Sequence, residues 1–215
     1  LRALSVRDGL GSDIVWSNAE STLSSNWDDF IDNGSLDYEY AIGTGTGSSS
    51  SNSGDNYSLS FDGIDDYVNV ANAPSISING NVSISAWINF SNFDNSIAAV
   101  VSMNPGTNGY ALEKTGDPGT AKTLSFWVGD GSDNIELKTN TLTENTWYHV
   151  VGTNDGSVSK VYINGSFVNS IPQGSPSGPT GDLKIGLHTF LTTSSRYWNG
   201  NIDEVAVWND ALTDV

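Results

Sequence analysis

The segment NVSISAWINF, residues 81–90, alternates so strictly that Val82, Ile84, Ala86, Ile88 and Phe90 share one face and Ser83, Ser85, Trp87 and Asn89 the other. A period of two does not suit an amphipathic helix; it fits a β-strand buried on one face. Similar short runs recur from residue 57 onward: YSLSF, DYVNV, SISI, IAAVVSM, GYALEK, TLSFWVG, IELKT, TWYHVVGTN, SKVYING, SFVNSI, DLKIGL and NIDEVAVW. Turn residues punctuate them, as in MNPGTNG, GDGSDN and NDGS, because Gly, Pro, Asn and Asp supply the dihedrals that strands cannot. In YINGSFV the pair Asn164-Gly165 suits a type I′ hairpin turn. Beyond a short turn near NDALTDV, no segment has a helical apolar period. The chain therefore reads as all-β, an antiparallel two-sheet β-sandwich or jelly roll.

The 215 residues suffice for one large β domain or two small ones. One composition break stands out: GTGTGSSSSNSGD, residues 43–55, has no apolar side chain to bury. The chain thus divides into residues 1–47, a Gly/Ser-rich linker or loop at 48–55, and the strand-rich residues 56–215. In the first part DIVWS, STLSSNW and LDYEYAIG read as three strands. The first ten residues show neither the apolar core nor the cleavage site of a signal peptide. The abrupt start and the stop at NDALTDV suggest a portion of a longer chain with covalently linked neighbouring domains.

Eight Lys and Arg stand against 25 Asp and Glu, a net charge of −17. Such a surface repels phosphate backbones and anionic lipid headgroups, so neither nucleic acid nor a membrane surface is an expected partner, and no apolar run of 18 residues argues for membrane insertion. Cysteine is absent, which removes disulfides, thiol chemistry and Cys-based zinc sites.

Four stretches in order, SLSFDGIDDYVNV, VSISAWINF, NTWYHVVGTNDGSVSKVYINGSFV and GDLKIG with the later YWNGNIDEVAVWNDALT, resemble the LamG-like jelly rolls of the concanavalin A-like lectin/glucanase superfamily. The resemblance implies two stacked antiparallel sheets and an extracellular or cell-surface setting, such as a secreted bacterial protein. It further implies a carbohydrate-binding or adhesive role beside other domains, and in many members a structural Ca²⁺. Residues 1–47 are similar to the opening strands of a fibronectin type III-like module, without its closing strands.

Four acids are candidate metal ligands: Asp62, Asp65 and Asp66 in FDGIDDYVNV, and Asp203 in NIDEVAVW. Strict alternation in the latter puts Asp203, Val205 and Val207 on one face and Ile202, Glu204, Ala206 and Trp208 on the other. An acid held in register with apolar residues needs a partner, because burying it bare costs several kcal/mol or more. With Lys and Arg scarce, Ca²⁺ or backbone N–H groups are the alternatives, and Ca²⁺ takes six to eight oxygens from carboxylates, carbonyls and water. The sandwich resemblance brings the first and last strands together, pairing Asp62 with Asp203. The competing reading is that Asp62, Asp65 and Asp66 only cap a turn after Gly63.

For a glycan, Trp127 and Trp87 are out of phase with the apolar faces of their strands, so each either stacks on a sugar or is covered by other parts of the chain. His149, in phase with Trp147 and Val151, reads as structural. The loop GLHTFLTTSSRYWNG, residues 186–200, gathers His188, Arg196 and Tyr197; a planar guanidinium beside aromatic rings suits a carboxylated or sulfated sugar. Trp198 reads as packing. Catalysis lacks support in the motifs: there is no alternating E-x-D-x-E strand, no R-x-E or Q-x-H signature of alginate-lyase-like jelly rolls, and no G-x-S-x-G, H-E-x-x-H or P-loop. The expected protein is a non-catalytic carbohydrate-binding module stabilised by Ca²⁺. The alternatives are an adhesion or spacer domain with a protein partner, or a hydrolase or lyase with unfamiliar catalytic residues.

Overall fold

The computed structural model describes residues 5–7, 14–15, 58–93, 97–103, 108–114, 122–131, 134–188 and 196–213. These form strands β1 (Ser5–Arg7), β2 (Ile14–Val15), β3 (Leu59–Asp62), β4 (Tyr67–Val70), β5 (Val82–Phe90), β6 (Ala98–Met103) and β7 (Asn108–Lys114). After them come β8 (Leu124–Asp130), β9 (Asn134–Lys138), β10 (Tyr148–Asn154), β11 (Val158–Ile163), β12 (Ser166–Pro172), β13 (Leu183–Ile185) and β14 (Asn199–Trp208). Among the described residues there is no helix, and hence none long and apolar enough to cross a membrane.

The strands pair into two antiparallel sheets, an eight-stranded one in the order β2-β1-β4-β13-β6-β7-β8-β9 and a six-stranded one in the order β12-β11-β10-β5-β14-β3. This is the expected two-sheet sandwich. Of the strands expected in residues 1–47, β2 falls within DIVWS, whereas STLSSNW, LDYEYAIG and the linker at 48–55 lie outside the described residues. The short β1 pairs with β4, so the described part of that segment extends the eight-stranded sheet.

The alternation in β5 carries through. Val82, Ile84, Ala86, Ile88 and Phe90 are fully buried between the sheets, opposite Leu124, Phe126 and Val128 of β8 and Tyr110 and Leu112 of β7 in one apolar core. The sheets meet closely at Gly152 of β10, where an added Cβ would lie 2.3 Å from the Phe126 ring. At one end of the sandwich a buried polar network takes over: Asn154 donates to Ser159 Oγ at 3.0 Å and Gln173 Nε2 to the Val128 carbonyl at 2.7 Å. The hairpin joining β11 and β12 has positive φ at Asn164 (50°) and Gly165 (74°), as a type I′ turn requires.

Two expectations are corrected. SISI is a turn, with Ile76 and Ser77 both donating to the Ala73 carbonyl; Ile76 is still buried, and its carbonyl accepts from the Tyr110 hydroxyl at 2.7 Å. The alternation of β14 is broken by a bulge: its register with β5 runs Asn201↔Asn89, Ile202↔Ile88, Asp203↔Trp87 and then Ala206↔Ser85, with Glu204 at φ 46°. One extra residue restarts the phase. Ile202, Val205 and Val207 therefore all enter the core, while Asp203 and Ala206 pair with the outward residues of β5.

Filling the Gly152 site tests the inter-sheet contact. Gly152→Ala has no space for its methyl without moving Phe126, and overpacking of this kind costs about 1–3 kcal/mol. A lower denaturation midpoint is expected, relieved by the companion change Phe126→Leu; equal midpoints for wild type and Gly152→Ala would show that the sheets are not in contact there.

Candidate functional site

Since the inner faces are filled with apolar side chains, the chemistry lies on the outward ones. On the eight-stranded sheet the registers Asn69↔Lys184↔Ser102↔Ala111↔Trp127 and Glu113↔Ser125 align neighbouring rows of outward residues. The chain from Gly186 returns over this face: Ser102 Oγ donates to the Leu187 carbonyl at 2.7 Å, and Leu187 bridges Tyr197. This return carries His188 to Glu113, with Nε2 2.9 Å from Glu113 Oε2 and both side chains buried. Arg196 closes the row, its Nη1 3.4 Å from His188 Nδ1. Arg196 meets no carboxylate among the described residues. Beside it Tyr197 faces Tyr67 at 6.3 Å between ring centroids, and Lys184 Nζ lies over the Tyr67 ring.

Two atoms in this group stand out. Glu113 Oε2 and Ser125 Oγ are buried side-chain oxygens that make no hydrogen bond among the described residues, and their residues are cross-strand neighbours. Glu113 Oε2 has an ion-pair partner in His188 Nε2 at 2.9 Å, whereas Ser125 Oγ has none among the described residues. Buried polar groups are nearly always paired, and an orphan costs about 1–3 kcal/mol. Ser125 Oγ is thus a place where a buried water can restore a missing bond.

The sequence singled out Arg196, His188, Tyr197, Trp127 and Trp87, and the structure gathers the first three with Glu113, Ser125, Tyr67 and Lys184. Trp127 shares the face but is only 4% exposed, so it offers no open stacking surface. Trp87 lies on the outward face of the other sheet, 38% exposed. Trp198 is packing, as expected, perpendicular to Phe90. Glu113 escaped the sequence reading because a single acid in GYALEK gives no signal without knowing that His188 will reach it.

The acids of FDGIDDYVNV fold into one tight turn. Asp62 Oδ1 accepts from the Ile64 and Asp65 amides at 2.7 and 3.4 Å, and Asp66 Oδ2 accepts from the Asp62 amide at 3.0 Å. Gly63 permits this with φ 80°, against Asn199. Carboxylate oxygens of Asp62, Asp65 and Asp66 all come within 4.8 Å of one another. The pairing of Asp62 with Asp203 does not form. Asp62 is opposite Asn199, and Asp203 lies four residues further along β14, roughly 13 Å away at about 3.3 Å per residue.

Asp203 has another setting. It is 7% exposed, beside Trp87 and across from it His149, whose ring lies 5.2 Å from that of Trp87. Its hydrogen bond among the described residues is from the Glu204 amide to Oδ1 at 2.8 Å. Burial pushes the Asp203 carboxyl above the ordinary carboxylate range, opposed by that amide and reinforced by the Glu204 charge. The same burial pushes His149 down, while Glu204 pulls it up.

A laminin G family model, described as the concanavalin A-like lectin/glucanases superfamily, matches residues 62–215. The chain belongs to that superfamily. Among solved structures it is similar to a carbohydrate-binding protein of Bacteroides ovatus, described as putative, at 22% identity and TM-score 0.58, covering 73% of this chain and 44% of that one. It is similar to a sialidase module of Ruminococcus gnavus solved with α2,3-sialyllactose, at 17% identity and TM-score 0.55, covering 73% and 90%. It also matches domain 4 of an extracellular arabinanase of Geobacillus stearothermophilus, in complex with arabinotriose, at 16% identity and TM-score 0.54, covering 76% of each. These likenesses establish the jelly-roll fold. The superfamily member spans less than half of the Bacteroides protein, and a comparison with curated proteins found no match.

Because Asp203 holds its proton more tightly folded than unfolded, its contribution to stability falls as pH rises from the ordinary carboxylate range through the raised folded pKa. At pH 7 its charge is a net cost. Asp203→Asn keeps the Oδ1 acceptor and removes the charge, so its melting temperature at pH 7 is expected to exceed the wild type by about 2 °C, near 1 kcal/mol or less for a chain of this size. The gap closes at a pH below the ordinary carboxylate range. A lower melting point at pH 7 would show that the carboxylate is stabilised by a partner.

Proposed function

We propose that this jelly roll is a non-catalytic carbohydrate-binding module of an extracellular or surface protein, and that it takes an acidic polysaccharide on the outward face of its eight-stranded sheet. The observation that carries the reading is the row Arg196–His188–Glu113, with Arg196 Nη1 3.4 Å from His188 Nδ1 and His188 Nε2 2.9 Å from Glu113 Oε2. In a chain of net charge −17, an arginine that meets no acid among the described residues is poised for an anion. A guanidinium takes a carboxylate in two parallel hydrogen bonds, and the buried Glu113–His188 pair lies beneath it. Tyr197 and Tyr67 add ring surface at the margin. The carbohydrate-binding descriptions of the Bacteroides and Ruminococcus neighbours support the ligand class. A non-catalytic role is favoured because His149 and His188 lie on opposite faces of the sandwich and the three clustered acids are tied into a turn.

Polygalacturonate and alginate are suitable anionic probes and dextran a neutral one. In affinity electrophoresis the wild type is expected to be retarded by at least one uronate polymer. Arg196→Ala should weaken that binding about tenfold or more, the worth of one charge-assisted contact, with no release of reducing ends or unsaturated products. Equal retardation of both proteins would remove Arg196 from the site, and turnover of the polymer would make the protein an enzyme.

A structural Ca²⁺ belongs to the same proposal, at the Asp62–Asp65–Asp66 turn. The donors fit a hard cation: three carboxylates converge, and neither Asp62 nor Asp65 makes an ion pair among the described residues. They would supply part of the oxygen shell. The fold gains stability from a ligand that binds only the native state, so adding Ca²⁺ to chelated protein is expected to raise the melting temperature. Asp65→Asn, which leaves the Asp62 and Asp66 backbone bonds intact, should abolish the rise; a Ca²⁺-independent wild-type curve would reject the ion.

A further inference from the structure

The six-stranded sheet has an outward face that the reading above does not use. Its centre is a cross-strand row, His149 on β10, Trp87 on β5 and Asp203 on β14, in register. Directly opposed side chains stand with their Cβ atoms about 4.5–5.5 Å apart, so a ring lying on the Trp87 indole has the Asp203 carboxylate at its edge. The face stays apolar and open outward from there: Trp147 is 41% exposed and Phe167 56%, Phe167 making an edge contact with Tyr162. From β5 to β12 is three strand spacings, about 14 Å, which is a track for an oligosaccharide rather than for one ring.

Exposed indoles of this size cost solubility, and a sheet of ordinary construction puts polar residues there. Asp203 adds a second anomaly. It is more than nine-tenths buried, no cationic side chain neutralises it among the described residues, and its register opposite Trp87 puts it on this face. A buried acid without a cationic partner among the described residues, beside an open aromatic face, has the marks of a functional group. Its Oδ1 takes the Glu204 amide, which leaves Oδ2 to accept from a ligand.

An apolar stacking surface edged by a hydrogen-bond acceptor matches a pyranose, which offers a C–H face and a rim of hydroxyl donors. The two acids, Asp203 and Glu204, repel carboxylated sugars, so the ligand is uncharged. We propose that the outward face of the six-stranded sheet is a second glycan site, specific for a neutral polysaccharide, in which Trp87 stacks on the sugar and Asp203 accepts its hydroxyl hydrogens. The sandwich is then bivalent, an acidic chain on one face and a neutral chain on the other. This site differs from the first in face, residues and ligand charge, so either stands if the other fails.

The test is affinity electrophoresis and tryptophan fluorescence with galactomannan, xylan, arabinan, dextran and mixed-linkage β-glucan. At least one of these is expected to retard the wild type and shift its emission. Trp87→Ala should lose at least tenfold in affinity and Trp87→Phe less. Asp203→Asn, melting at or above the wild type, should bind several-fold more weakly, which keeps the test decisive even if Trp87→Ala misfolds. Arg196→Ala should bind the neutral polymer as the wild type does. The proposal is overturned if no neutral polymer binds, if Trp87→Ala and Asp203→Asn bind unchanged, or if Trp87→Ala alters only self-association, which would make the face a contact between copies of the chain.

Discussion

The meeting of Phe126 with the bare backbone of Gly152 fixes how closely the two sheets approach, and everything else in the sandwich is arranged around that approach. Stacked sheets lie about 10 Å apart. With an aromatic ring reaching from β8 to the backbone of β10, the interior holds one layer of interdigitated side chains and no polar group without a purpose. The aliphatic face of β5 and the aromatic residues of β7 and β8 fill it. Because side chains alternate along a strand, filling the inside also decides what stands outside: Glu113 is outward because Leu112 is inward, and Trp87 because Ala86 and Ile88 are buried.

The two outward faces differ in character. Around His188 and Arg196 the eight-stranded sheet is polar, partly closed and cationic at its margin, and it holds a buried hydroxyl, that of Ser125, with no hydrogen-bond partner among the described residues. Around Trp87 the six-stranded sheet is open, aromatic and acidic. Each departs from what stability alone would select, the first through that hydroxyl and the second through exposed rings and an uncompensated carboxylate. Such departures concentrate where a protein meets its ligand.

Much of this was legible in the sequence because period and turn chemistry are local. The β5 alternation, the Asn164-Gly165 turn and the two-sheet class needed no long-range information. The Arg196 loop was found for a comparable reason, since its charged and aromatic residues are close in sequence. What escaped depended on the partner strand. The β14 bulge is invisible in NIDEVAVW alone, because an extra residue is defined only against the register of β5; without it Ile202 and Val205 fall on opposite faces. The contact of His149 with Trp87 is likewise set by the strand register and not by anything local. Glu113 was missed because the chain that reaches it returns 75 residues later at His188. Ile76 and Ile78 imitate a strand in SISI because a buried turn and a buried strand both need apolar side chains.

Hydrogen–deuterium exchange in the presence of oligogalacturonate tests the central claim most directly, since it locates the ligand without altering a residue. The account predicts slowed exchange in β7 and β8 and in the backbone around His188 and Arg196, with β5, β10 and β14 unchanged. Protection confined to the six-stranded sheet, or none anywhere at saturating oligosaccharide, would contradict it.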